Sequence, residues 1–260
     1  MTDTPDTAPF RLAYVPGVTP AKWVRVWNER LPETPIRLQL VQAGEGETVL
    51  HDGGADAGLV RLPVDKTHLS AIPLYTETTV VVVPKDHELA DAAEVSVAEL
   101  AELVVLHPLD DVLGWEDGTP GEAAFERPAT TSDAVDLVSA GIGVLIVPQS
   151  LARLHHRRDL TYRPMTDAPQ SQIALSWLQD RTTDLVEEFI GIVRGRTVNS
   201  SRGRSQPEPE KGAKAKAAKA APTKKQPQKQ AGRPRSGGGA GGGAGGGARK
   251  QTARRGKPRR

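Results

Sequence analysis

No cysteine stands anywhere in this chain of 260 residues, which excludes disulfides, thiol nucleophiles and Cys-ligated zinc. Long apolar runs are missing too. The most concentrated one, "VVVV" at 80–83, reads as a buried strand and is far short of the roughly 20 residues a membrane span needs. The first ten residues, "MTDTPDTAPF", carry two Asp, no basic residue and no apolar centre, so a secretory signal is not expected. The expected location is the cytoplasm.

The signatures of catalysis are absent as well. There is no G-x-S-x-G, no P-loop and no H-E-x-x-H. "GIGVL" at 141–145 follows a helical pattern and enters a strand, the reverse of a dinucleotide fingerprint, so its glycines read as a turn. His155 and His156 are adjacent and flanked by arginine, and residues one apart do not share a helical face. Asp86, Asp110 and Asp111 read as solvated loop acids. The chain is expected to be no enzyme, with no catalytic residue, no metal and no cofactor.

Charge is abundant and unevenly placed. Residues 1–196 hold 16 Lys+Arg against 30 Asp+Glu, a net of −14, while residues 197–260 hold 18 against 2, a net of +16. The near-neutral mean therefore conceals an acidic body and a basic tail. The body is long enough for one core or two small lobes.

Within the body, strand and helix patterns alternate. "FRLAYVPG" reads as a buried strand ending in a turn. "TPAKWVRVWNERLP" reads as a helix with Thr19 as N-cap, Pro20 at its first position, and Trp23, Trp27 and Leu31 along one face. "IRLQLVQ" alternates with period two, placing Ile36, Leu38 and Leu40 on one side. A short helical "ETVLHDGG" and a strand "AGLVRLP" complete a βαβαβ beginning, the start of a mostly parallel sheet with crossover helices. "IPLYTETTVVVVPKDHELA" is extended and long enough to pass into a second lobe. There the sequence predicts a helix "SVAELAEL", a strand "VVLHP", a loop over 108–128, a helix "SDAVDLVSAGIG" and a strand "VLIVP". "QIALSWL" returns to the first lobe. "TTDLVEEFIGIVRG" closes the body as a helix capped by Asp184, with Glu187 reaching back and Gly195 ending it.

In order and spacing, "FRLAYVPG", "GADAGLVRLP", "VPKDHELA", "VSVAELAELVVLHP" and "DAVDLVSAGIGVLIVPQSLARL" resemble the effector-binding domain of LysR-type transcriptional regulators, over about residues 10–195. The resemblance implies an α/β, two-lobed, type 2 periplasmic-binding-protein fold. Lobe I would span about 10–80 and 165–196 and lobe II about 81–164, after a disordered stretch 1–9. It further implies a small effector between the lobes and side-by-side dimerisation, with a second copy or with a full-length relative. Family members begin with a winged helix-turn-helix, whereas nine residues precede the first strand here, so operator reading by that module is not expected.

Ligands of open α/β sheets sit at the carboxyl ends of strands. Pro16, Gly17, Val18 and Thr19 occupy one such place, and Thr130, Thr131 and Ser132 open a helix near another. In the resembled fold both face the cleft, with Pro148 ending the strand beside them. Free N–H groups and the helix dipole there would suit an anionic metabolite, and Arg61 could pair with it. The same hydroxyls also serve as ordinary N-caps, and Arg61 as a rim ion pair.

Residues 197–260 are expected to be disordered, because their Lys/Ala/Pro/Gly bias offers nothing to bury. The Gly-Ala run 237–248 is a spacer spanning roughly 20 Å. Gly232, Arg233 and Pro234 resemble the core of an AT-hook, with Ala231 where a basic residue is usual. "ARKQTAR" at 248–254 looks like a core-histone tail, a string that this composition readily generates. DNA phosphates would be met by Lys224, Lys225, Lys229, Arg233, Arg235, Arg249, Lys250, Arg254, Arg255, Lys257, Arg259 and Arg260. The sequence thus points to a transcription-associated effector-binding protein with a DNA-binding tail, nucleoid-associated if that tail binds. The alternative is a stand-alone metabolite sensor whose tail docks on an acidic partner, RNA or a membrane.

Overall fold

A computed structural model describes residues 8–116 and 118–196, which lie within one compact unit. They form two α/β lobes, each built on a five-stranded sheet. The first chain segment supplies β1 (Phe10–Tyr14), α1 (Ala21–Arg30), β2 (Ile36–Leu40), α2 (Gly46–His51), β3 (Ala57–Arg61) and β4 (Leu69–Glu77). After a single residue, Thr78, the chain enters the second lobe: β5 (Thr79–Pro84), β6 (Val104–Leu106), β7 (Glu122–Ala123), α3 (Thr131–Ser139), β8 (Val144–Pro148), α4 (Gln149–Leu154) and β9 (Leu160–Pro164). It then returns as β10 (Ser171–Leu178) and closes with α5 (Asp184–Val193).

The sheets are mixed rather than mostly parallel. In the order β2-β1-β3-β10-β4, the first three strands are parallel and the returning β10 runs antiparallel to both β3 and β4. In the order β7-β6-β8-β5-β9, β6 is parallel to both its neighbours, whereas β5 is antiparallel to β8 and β9. The reason is the two lobe crossings. A chain that passes from one sheet to the other and back must enter each sheet in reversed direction, which a run of βαβ units does not do.

The α1 stripe packs as its periodicity predicts, with Trp23 and Trp27 buried and Leu31 packed against the same core. Its start differs. Pro20 holds the cap position in helical conformation and no side chain caps it, while Thr19 is exposed, because the turn from Val15 to Val18 carries the chain into the helix one residue later. At α5 the cap is Thr183, whose hydroxyl accepts from the Val186 N–H, rather than Asp184. The left-handed backbone of Gly195 (φ +69°) follows the end of that helix, as expected. "SVAELAEL" forms one 3-10 turn, Val97–Leu100, since Leu100 alone of its residues is fully buried and the chain folds directly into β6. Strand β2 is an edge strand: Leu38 (44%) and Leu40 (60%) are exposed, so its alternation marks a face that the other described residues leave uncovered.

Candidate functional site

The crossings bring the carboxyl ends of several strands into one region. Arg61, the last residue of β3, lies opposite Ile173 of β10, with the end of β4 on the far side of β10. Its side chain is 6% exposed and its partner Glu77 is 5% exposed, with 3.1 Å from Nη2 to Oε2. Nε donates to Ser171 Oγ at 3.1 Å, Nη1 to the Pro16 carbonyl at 3.0 Å and Nη2 also to Ser150 Oγ at 3.4 Å. Ser171 Oγ donates in turn to Glu77 Oε2 at 3.1 Å. Burial pulls the Arg61 guanidinium below its ordinary range, and the Glu77 carboxylate opposes that pull. The result is a buried ion pair tying the β1 turn, β3, β4 and β10 to Ser150 on α4 of the other lobe.

Gly17 is required at this junction. Its φ is +87°, and an added Cβ would lie 2.4 Å from Ser150 Oγ. Thr79, opposite Pro148 in the β5–β8 ladder, is 1% exposed and its hydroxyl donates to the Pro169 carbonyl. The Gln149 N–H donates to the Thr78 carbonyl at 2.9 Å. Pro148 is therefore a buried element of the crossing.

On the second lobe, Thr130 is the N-cap of α3 and shares a capping box with Asp133. Thr131, 3% exposed, donates its hydroxyl to Asp110 Oδ1 at 2.9 Å. Asp111 is not a solvated acid: its side chain is 8% exposed, Oδ2 lies 3.1 Å from His107 Nε2, and Oδ1 accepts from the Leu113 N–H. Burial raises the Asp111 carboxyl above its ordinary range, and the hydrogen bonds and His107 partly offset this.

Between these two sides lies a cavity of about 450 Å³, lined by the Gln42–Glu45 turn and Arg61 from lobe I and by Leu109–Val112 and Ala129 from lobe II. Of the residues expected at an effector site, Arg61 lines this cavity. Pro16 and Gly17 lie against Arg61, Pro148 is buried at the lobe crossing, Val18 is buried in the first core, and Thr19, Thr130 and Ser132 are exposed. Thr131 reaches the cavity wall through Asp110. Sequence reasoning passed over Gln42–Glu45 and Leu109–Val112. They follow the carboxyl ends of β2 and β6, so the strand-end rule that selected Pro16 and Thr131 also selects them. The tail positions Lys224, Lys225, Lys229, Arg233, Arg235, Arg249, Lys250, Arg254, Arg255, Lys257, Arg259 and Arg260 lie outside the described residues.

Two mixed-sheet lobes hinged by two crossings, with a ligand-sized cavity where strand ends meet, define a two-lobed small-molecule-binding domain. The comparisons make the assignment specific. The chain belongs to the LysR substrate binding domain family, whose profile matches residues 9–197. It is 34% identical over 157 residues to a "Probable hydrogen peroxide-inducible genes activator" of Mycobacterium avium, covering 56% of this chain and 50% of that protein. It is 27% identical over 185 residues to the "Hca operon transcriptional activator HcaR" of Escherichia coli, covering 67% of this chain and 62% of that protein. The chain thus spans about half to three-fifths of the length of these curated relatives. Among solved structures, the reduced form of OxyR matches with a TM-score of 0.59 at 20% identity, covering 74% of this chain and 97% of that one. The BenM effector-binding domain with its effector benzoate matches with a TM-score of 0.60 at 18% identity, covering 72% and 91%. These likenesses establish the fold, and the relatives named are transcriptional regulators rather than enzymes. No helix among the described residues is long and apolar enough to cross a membrane.

Proposed function

We propose that this chain is the sensing part of a LysR-type transcription regulator. A small molecule held between lobe I (about 10–80 and 165–196) and lobe II (about 81–164) biases how the lobes close, and residues 197–260 add sequence-independent affinity for DNA. The observation that carries this reading is the cavity of about 450 Å³ lined from both lobes in a chain of this family, a size suited to one metabolite. Pairing with a second copy or a longer relative belongs to the same reading, and the exposed Leu38 and Leu40 of edge strand β2 support it.

The signal itself is not sulfur redox. Several structural relatives are described as oxidised, reduced or peroxide-bound forms. This chain holds no cysteine, and its one methionine among the described residues, Met165, is 8% exposed. Reversible binding is the mechanism that its side chains allow. The expected anionic effector meets an obstacle, since the one cation among the described residues lining the cavity, Arg61, is already paired with Glu77.

The DNA half of the proposal rests on 18 Lys+Arg against 2 Asp+Glu after residue 196. Gel shifts of the full chain and of a 1–199 fragment on unrelated duplexes test it. If about six to eight phosphates are contacted, log affinity falls against log salt with a slope of roughly −5 to −7. A 1–199 fragment that binds duplex unaided, or full-chain binding that ignores salt, would overturn the assignment of DNA contact to the tail.

A further inference from the structure

The charge and hydrogen-bond state of the cavity say which chemical class it accepts. Among the described residues, three carboxylates line it: Glu45 from lobe I, and Asp110 and Asp111 from lobe II. Against them stands Arg61, whose charge Glu77 already balances at 3.1 Å and whose N–H groups serve Ser171, Pro16, Ser150 and Glu77. The start of α3 would ordinarily attract an anion. Here that role is taken from within. Asp110 accepts the Thr131 hydroxyl, and Asp133 accepts both the N–H and the hydroxyl of Thr130. An incoming carboxylate would have to displace Asp110 from Thr131 while approaching Glu45 and Asp111.

Acceptors, in contrast, are left over. Glu45 accepts the Gln42 N–H through Oε2, and Asp110 accepts Thr131 through Oδ1. Among the described residues the second oxygen of each carries no hydrogen bond. Leu109, Val112, Ala43 and Ala129 add apolar lining beside them. An ammonium or guanidinium group is the partner that a pair of free carboxylate oxygens in a partly apolar cavity favours.

We propose that the inter-lobe cleft takes a small organic cation, an amine or a guanidine carried on a short apolar body, rather than a carboxylate. The proposal rests on the cleft being the effector site. It assigns Asp110 a specificity-determining position: its carboxylate both excludes an anion from the α3 start and supplies the unpaired acceptor.

The test is a salt-matched titration of the isotope-labelled full chain, followed by backbone amide NMR, with benzylamine, agmatine and benzoate as probes. The first and last are near-isosteric and differ in sign of charge. Benzylamine or agmatine is expected to shift the amides of Gln42–Glu45 and Leu109–Val112, and benzoate to leave them in place. Asp110→Asn, which keeps an acceptor for Thr131, is expected to weaken the cation about ten- to a hundredfold. Asp86→Asn, at an exposed site in lobe II, leaves that affinity unchanged. Benzoate shifting the cleft amides while both cations leave them unmoved would overturn the charge assignment and leave the effector cleft standing. Shifts confined to residues away from the cleft, or none with all three probes, would remove the cleft reading and this proposal together.

Discussion

Lobe I buries Phe10, Trp27 and Phe189 as a mutually packed trio, with ring centroids 4.5 Å (Phe10–Trp27), 5.4 Å (Phe10–Phe189) and 5.8 Å (Trp27–Phe189) apart. Among the described residues, lobe II has no aromatic side chain fully within its core, Tyr162 and Trp115 packing only partly buried against it, and it is instead layered from Val, Leu, Ile, Ala and Met165 on both faces of its sheet. Its central strand β5 shows the arrangement: Val80 and Val82 pack on one side, Val81 and Val83 on the other. Large rings from β1, α1 and α5 pin three elements of lobe I at once, each adding area and preferred ring geometry. The aliphatic layers of lobe II have no such pin, and its cleft loop is held by hydrogen bonds, as where Arg127 donates to the carbonyls of His107 and Pro108. Leu109 at the loop's tip is 64% exposed. The cleft therefore has one firmly built wall and one lightly built wall.

Trp27→Ala should show the contrast most strongly. It removes a fully buried ring and its Nε1–H bond to the Thr34 carbonyl, at about 3–5 kcal/mol of unfolding free energy in urea. Glu77→Ala follows at about 3–4 kcal/mol, because it strands the Arg61 charge at the crossing, and the paired change Arg61→Met with Glu77→Leu should recover most of that loss. If the double variant is no better than the single, the pair does more than satisfy itself. Leu145→Ala in β8 is expected to cost about 2–3 kcal/mol, at the low end for leucine, because its aliphatic neighbours can close in. A loss equal to that of Trp27→Ala would erase the distinction between the lobes.

Asp111→Asn probes the lighter wall. Burial holds the folded-state value of Asp111 above its ordinary 3.8, so ionisation is less tolerated in the folded protein than in the unfolded chain. Wild type therefore loses stability as pH rises from 3.8 through that raised value. The uncharged variant avoids this, so the two should melt alike at acidic pH and the variant should gain on wild type as pH rises. A constant difference across pH would assign the effect to packing alone. The smallest change in melting is expected for Leu40→Lys on the exposed edge strand, within about 0.5 kcal/mol. The same variant should lower self-association in sedimentation if this face is where copies pair.

Much of this was legible in the residues themselves. Trp23, Trp27 and Leu31 announced the buried face of α1, the valine run announced β5, and "DLVSAGIGVLIVP" announced the α3–β8 turn. Periodicity and turn residues are local, and these elements obey local rules. Arg61 was legible as a charge at a strand end. Its partners were not, since Glu77, Ser171 and Ser150 lie 16, 110 and 89 positions away in the chain. Asp110 passed as a loop acid for the same reason, its partner Thr131 lying 21 positions away, whereas Asp111 has its partners His107 and Leu113 close in sequence and only its burial went unrecorded by any local pattern.

By itself, then, the sequence determined the split between an acidic body and a basic tail, the exclusion of cysteine chemistry, and the order of the main strands and helices, though not β7, α4 or β9, because composition and spacing carry the main elements directly. Tertiary structure alone decided that the sheets are mixed, that the described residues leave the face of β2 open, that Arg61 spends its charge on Glu77, and that Asp110 bonds to Thr131 at the start of α3. Each of these depends on which residues the two lobe crossings bring within hydrogen-bonding reach, and no local pattern records that.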